Sequence, residues 1–150
     1  MTLAPVDSLM PHSWPQNPVA PYPYIEEEIV VPVNDTILLS GTLTRPRSRK
    51  RVPAVILLSG TGKQDRDASF TGHRPFARIA DYLTRRGIAV LRLDDRGVGR
   101  STGRYEEATT ADFASDALLA LERLKQHRCI RASKIGLMGH SEGGAAAMMA

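Results

Sequence analysis

Three short apolar runs constrain this chain most: "VPAVILLSG" from Val52, "GIAVLRLDDRG" from Gly87 and "KIGLMGHSEGG" from Lys134. Each ends in a glycine-bearing loop. A continuous apolar run of this length, bounded by glycine, suits a strand covered on both faces rather than an alternating, half-solvated one. Between the runs the periodicity changes to that of helices. Residues Pro75 to Arg86 carry Phe76, Ile79, Ala80 and Leu83 on one face, with proline at the first helical position and Gly87 just past the end. From Ala111 to His127 a second helix is expected, with Phe113, Ala117, Leu121 and Leu124 on one face. Asp112 near its start and Lys125 and His127 near its end match the helix dipole, and Thr109 or Thr110 can cap it. The predicted strands are Val52 to Leu58, Ile88 to Leu93 and Lys134 to Met138, with a last helix over Gly144 to Ala150.

Six of the ten prolines precede Tyr24, so residues 1–23 are expected to run as an extended arm, with Trp14 and Tyr22 as anchors. Ile25 to Val33 and Thr36 to Thr44 are rich in β-branched and aliphatic residues. Asn34-Asp35 between them reads as a two-residue hairpin turn. Strands alternating with helices after such a hairpin imply an α/β fold. Its sheet is mostly parallel, with helices on both faces, right-handed crossovers and an antiparallel hairpin at the N-terminal side. Ligands of these sheets bind beyond the carboxyl ends of the strands. "SGTGKQDRD", "DDRGVGRSTG" and "GHSEGG" all fall there.

Composition narrows the classes. The longest apolar run is far too short to span a bilayer, and the N-terminus has neither the basic start nor the apolar stretch of a secretory signal, so a cytoplasmic protein is expected. The single cysteine, Cys129, excludes an internal disulfide and leaves no partner for a thiolate metal site; no metal and no cofactor are expected. Much of the net charge of +4 lies in "RPRSRKR", residues 45–51. A solvated loop explains it better than a nucleic-acid site, because no aromatic residues interleave to stack bases.

Gly139-His140-Ser141-Glu142-Gly143 fits G-x-S-x-G, after a strand and before a helix of alanine and methionine. A serine hydroxyl is a weak nucleophile that must be exposed and oriented, and an abrupt strand-to-helix turn does both. A glycine-rich connection without chemistry would produce the same five letters.

The blocks "LLSGTLTRP", "VILLSGTGKQDRD", "VLRLDDRGVGRS" and "GLMGHSEGG", in this order over Ile25 to Ala150, resemble the α/β-hydrolase superfamily. The resemblance is closest to its bacterial esterases and its dienelactone-hydrolase-like or serine-aminopeptidase-like members. It implies an incomplete α/β-hydrolase fold, with residues 24–150 as the N-terminal part of the domain after the 1–23 arm. By the same resemblance Ser141 is the catalytic nucleophile. The oxyanion is held by the backbone amides of Glu142 and Thr61, with Gly62 as the other candidate. Asp94, Asp95 and Arg96 shape a tight loop, and Asp65, Arg66 and Asp67 either tie the oxyanion loop down or touch substrate. His140 precedes the nucleophile, so its side chain is expected to leave the bend in a different direction and not to serve as its base, while His73 and His12 are read as surface groups.

The family orders its triad as serine, acid, histidine. Nine residues follow Ser141, and they include Glu142 and no histidine. The expectation is therefore a serine hydrolase of carboxylic esters or thioesters, or a peptidase, with acid and histidine beyond residue 150. Its partner is a small acyl ester, thioester or peptide substrate, with neither nucleic acid nor membrane. The competing expectation is a non-enzymatic module that binds, or self-associates, through an open sheet edge.

Overall fold

The computed structural model describes residues 16–150. The expectations for Trp14 and His12 lie outside the described residues. The elements are β1 (Tyr24–Pro32), β2 (Leu38–Pro46), β3 (Val52–Leu58), α1 (Pro75–Thr84), β4 (Ala89–Leu93), α2 (Thr110–Lys125), β5 (Ile130–Gly139) and α3 (Glu142–Met149), with one 3₁₀ turn over Tyr105–Glu107. The strands form one sheet in the order β1-β2-β4-β3-β5. β2 is antiparallel to both β1 and β4, while β3 is parallel to β4 and β5, so four of the five strands point the same way.

Side-chain alternation along the central strands divides the core. On one face Leu57 and Val90 meet Phe76 and Ala80 of α1. On the other, Ile56 and Leu91 meet Ala120 and Leu124 of α2, together with Ile29, Val31 and Leu43. Neighbouring residues thus serve opposite layers, as the period of two requires, and both faces are covered by helices. Leu91 and Leu124 are fully buried, and truncating either to alanine would cost about 2–5 kcal/mol. α3 packs on α2 and β5. No helix among the described residues is long and apolar enough to cross a membrane.

Three expectations change in detail. The hairpin does not turn on Asn34-Asp35 alone: pairing closes with Pro32 opposite Leu38. Asn34 Oδ1 accepts the amides of Thr36 and Ile37, both at 2.9 Å, and the Val33 amide donates to the Ile37 carbonyl. The Asn side chain replaces a ladder partner, and this lets the turn widen to residues 33–37. Secondly, β5 begins at Ile130, four residues before the predicted strand, because Ile130 pairs with Val52 ahead of a register shift. Residues 131–134 are exposed, so no apolar pattern marks them. Thirdly, α3 starts at Glu142, which puts Gly143 and Gly144 in its first turn.

Of the basic run, Arg45 and Pro46 finish β2, where the Arg45 guanidinium is paired with Glu27. Residues 47–51 are exposed, as a solvated loop requires. Residues 16–22 lie against the loop before α1: Asn17 Nδ2 donates to the Gly72 carbonyl at 2.8 Å, and Tyr22 stacks on Tyr24 with centroids 5.1 Å apart.

Candidate active site

At the carboxyl end of β5 the chain turns straight into α3, and Ser141 stands at the bend with φ 54° and ψ −120°. This is a left-handed conformation in a residue with a Cβ, and holding it costs about 1–3 kcal/mol. The two flanking glycines are required by space. A Cβ on Gly139 would lie 2.1 Å from the Gly143 carbonyl oxygen, and one on Gly143 would lie 2.3 Å from that of Leu58. The His140 amide donates to the Leu58 carbonyl at 3.0 Å, and the Gly143 amide to His140 at 3.0 Å. β3 and β5 thus grip the bend from below. The Ser141 side chain is exposed and caps no helix amide.

The loop after β3 rises beside this bend. Gly60 brings them together, since a Cβ there would be 3.2 Å from Ser141 Cβ and 3.1 Å from His140 Nδ1. The His140 ring therefore leaves the bend toward Gly60. The loop is held at several points. Ser59 Oγ donates to Asp95 Oδ1 at 2.7 Å, and the Gln64 amide donates to Asp95 Oδ2 at 2.9 Å. The Gly62 amide donates to the Tyr105 hydroxyl at 2.7 Å, so it is already committed. Among the described residues, the amides of Thr61 and Glu142 donate to no backbone carbonyl.

Charged residues brace the same end of the sheet. Arg66 donates to Asp94 through Nη2 at 2.6 Å, to Glu28 at 2.8 Å and to Thr42 at 2.7 Å. Burial pushes the Asp94 carboxyl up, but the Arg66 guanidinium and the Arg66 and Arg100 amides outweigh it and hold Asp94 below the usual carboxylate range. Asp67 is paired with both Arg74 and Arg92. Asp65 Oδ1 accepts the amides of Asp67 and Ser69, and Arg96 forms a two-point pair with Asp116 of α2 at 2.8 Å. All of these tie the loops down. Asp95 differs: burial pushes its carboxyl up to about 6, against the opposing pull of Ser59 Oγ and the Gln64 amide.

The family model described as serine aminopeptidase, S33, matches residues 72–150. The chain belongs to this family of α/β-hydrolases. Among curated relatives, the chain is 32% identical over 105 residues to Esterase EstD of Thermotoga maritima, covering 70% of itself and 25% of that protein. It is 35% identical over 101 residues to an acyl transferase of Photorhabdus luminescens, covering 67% of itself and 30% of that protein. The Pyrococcus furiosus esterase Pf2001 superposes with a TM-score of 0.65 at 26% identity, over 83% of this chain and 45% of that one. The chain spans about a quarter to a third of the length of these curated relatives.

In this member of the family a cavity of about 50 Å³ lies behind the bend, lined among others by Ser59, Asp95, Tyr105, Phe113, Glu142 and Ala146. Ser141 is exposed and is not among the residues that line it. Glu142 accepts Thr110 Oγ1 at 2.7 Å, which ties its side chain to the start of α2. His73 stacks with Phe70 at 5.3 Å and meets Gln16 through Nδ1, on the far side of the loop after β3. The described residues contain no cluster of three or more metal-ligating side chains. Sequence reasoning missed Tyr105, and no signal could have revealed it, because it acts from an irregular segment 43 residues away from Gly62. It also gave Asp95 no role of its own beside Asp94 and Arg96, although its place at the mouth of β4 was a signal.

Proposed function

We propose that this chain carries the nucleophile and the oxyanion site of a serine acyl hydrolase acting on carboxylic esters or thioesters. The observation that carries this is the bend at Ser141: an exposed hydroxyl, a strained backbone and two glycines that admit no side chain. In the proposed reaction Ser141 Oγ attacks the acyl carbonyl carbon, and the C=O electron pair moves to oxygen. The resulting oxyanion is received by the amides of Thr61 and Glu142, the second of which opens α3, where the helix dipole favours negative charge. Collapse of the intermediate expels the alcohol or thiol and leaves an acyl-serine, which water then cleaves. Losing either amide would raise the barrier by about 3–4 kcal/mol.

The serine proton must pass to a base. Residues 142–150 hold no histidine, and Glu142 is engaged by Thr110. Turnover therefore requires an acid and a histidine from outside this stretch. The esterase and acyl transferase relatives both fit an acyl-enzyme route, differing in whether water or another acceptor takes the acyl group.

A fluorophosphonate probe with imidazole supplied as an external base tests the reading on residues 1–150. Labelling should map to Ser141, rise with imidazole concentration and vanish in Ser141→Ala. A folded sample that never labels at Ser141 would overturn it.

A further inference from the structure

Asp95 sits at the end of β4 beneath the loop that joins β3 to the segment before α1. One oxygen receives the Ser59 hydroxyl, the other the Gln64 amide. These are the two ends of a six-residue span, and Thr61 lies between them. The outer side of the span is held separately, by Tyr105 on Gly62 and by the Lys63–Glu106 ion pair at 2.6 Å. A carboxylate that accepts at both ends of a loop sets the loop's height above the sheet, much as a staple would, while leaving its middle amide to a ligand.

We propose that Asp95 is a positioning residue for the oxyanion site: by gripping Ser59 and Gln64 together it fixes where the Thr61 amide points. The inference rests on the reading of Ser141 as nucleophile and adds the residue that aligns its electrophilic partner. The grip depends on charge. Burial, with Asp94 and Glu142 nearby, pushes the Asp95 carboxyl up to about 6. Arg96, Asp116 and Tyr105 line the cavity on which it borders, and His140 lies against Gly60. Protonation places a hydrogen on one of the two accepting oxygens: on Oδ1 it can be donated back to Ser59 Oγ, and on Oδ2 it competes with the Gln64 amide. The bonding at the two ends of the loop therefore changes as pH passes through about 6.

Asp95→Asn keeps the volume and removes the titration. In the wild-type chain, the amide NMR signals of Gln64 and Thr61 should move together with a midpoint near pH 6. In Asp95→Asn that transition should be absent, while a His140→Gln control should keep it. At pH 7.5 and fixed imidazole, Asp95→Ala, which keeps neither bond, should label at Ser141 about tenfold more slowly or worse, while Asp95→Asn should have a urea midpoint no lower than wild type. The last point follows because a carboxyl whose pKa rises on folding makes the charged form a burden to the fold. Wild-type labelling rates in Asp95→Ala, persistence of the loop transition in Asp95→Asn, or its absence from the wild type would each overturn the proposal. Should the wild type never label at Ser141, the nucleophile reading falls, and the Gln64 and Thr61 titration alone decides whether Asp95 sets the loop.

Discussion

Ser141 and its glycines define what a single residue contributes here. The backbone at residue 141 is strained because a side chain occupies a left-handed bend, and glycine would relieve the strain. Ser141→Gly is therefore expected to raise stability by about 1 kcal/mol in urea unfolding while abolishing labelling. The neighbouring glycines respond unequally to alanine. At Gly143 a methyl group would enter the Leu58 and Ser59 carbonyls, and a loss of about 3 kcal/mol is expected. At Gly144 the nearest atom is 3.8 Å away in a helical turn, and alanine should stabilise by about 0.5–1 kcal/mol. The two aspartates at the mouth of β4 differ in the same way. Asp94 lies below the ordinary carboxylate range when folded, so its contribution is present above about pH 4 and lost as pH falls through the folded value. Asp95, raised to about 6, has the opposite sign: its contribution is present at low pH and lost as pH rises through 6. Asp94→Asn should cost about 3 kcal/mol at pH 7, by leaving Arg66 without its buried partner.

At the scale of elements, α2 rests on a two-way cap: Thr109 Oγ1 accepts the Asp112 amide, and Asp112 accepts the Thr109 amide at 2.8 Å. Thr109→Ala is expected to lower stability by about 1 kcal/mol, read from the urea midpoint. The sequence left the cap between Thr109 and Thr110, and the structure selects Thr109, whose partner is three residues on. Visible in the sequence were β3 and β4, continuous apolar runs with no exposed residue, and α1, whose apolar side chains recur at helical spacing. The start of β5 was not, since an exposed edge selects nothing apolar, and the hairpin turn widened because one Asn side chain took over two amides. Ion pairs such as Arg66–Asp94 and Arg96–Asp116 join residues 28 and 20 apart. Asp94 and Arg96 were read as shaping a loop, Arg66 as tying one down or touching substrate, and Asp116 was not singled out; which carboxylate meets which guanidinium depends on the stacking of β2, β4 and α2, which local pattern does not encode. The serine bend was legible because its glycines, strand and helix are contiguous; the Tyr105 support for Gly62 depends on a fold-level encounter.

Across the whole molecule, β5 pairs only with β3 among the described strands, and its α1-side face bears Met138, 44% exposed. Met148 and Met149 of α3 are exposed as well. Apolar surface beside an unpaired strand edge promotes association. Sedimentation should show concentration-dependent self-association, reduced in Met138→Lys with Met148→Lys; a stable monomer at all concentrations would contradict this. The sheet also brings the ends of β3 and β5 side by side, and the proposed reaction requires the Ser141 hydroxyl and the Thr61 and Glu142 amides to meet one carbonyl there. The most direct measurement is a crystal structure of the fluorophosphonate adduct. The phosphonyl oxygen is expected on Ser141 Oγ's adduct at about 2.7–3.1 Å from both the Thr61 and Glu142 nitrogens. An adduct on another side chain, or an oxygen turned to solvent and away from both amides, would contradict the account.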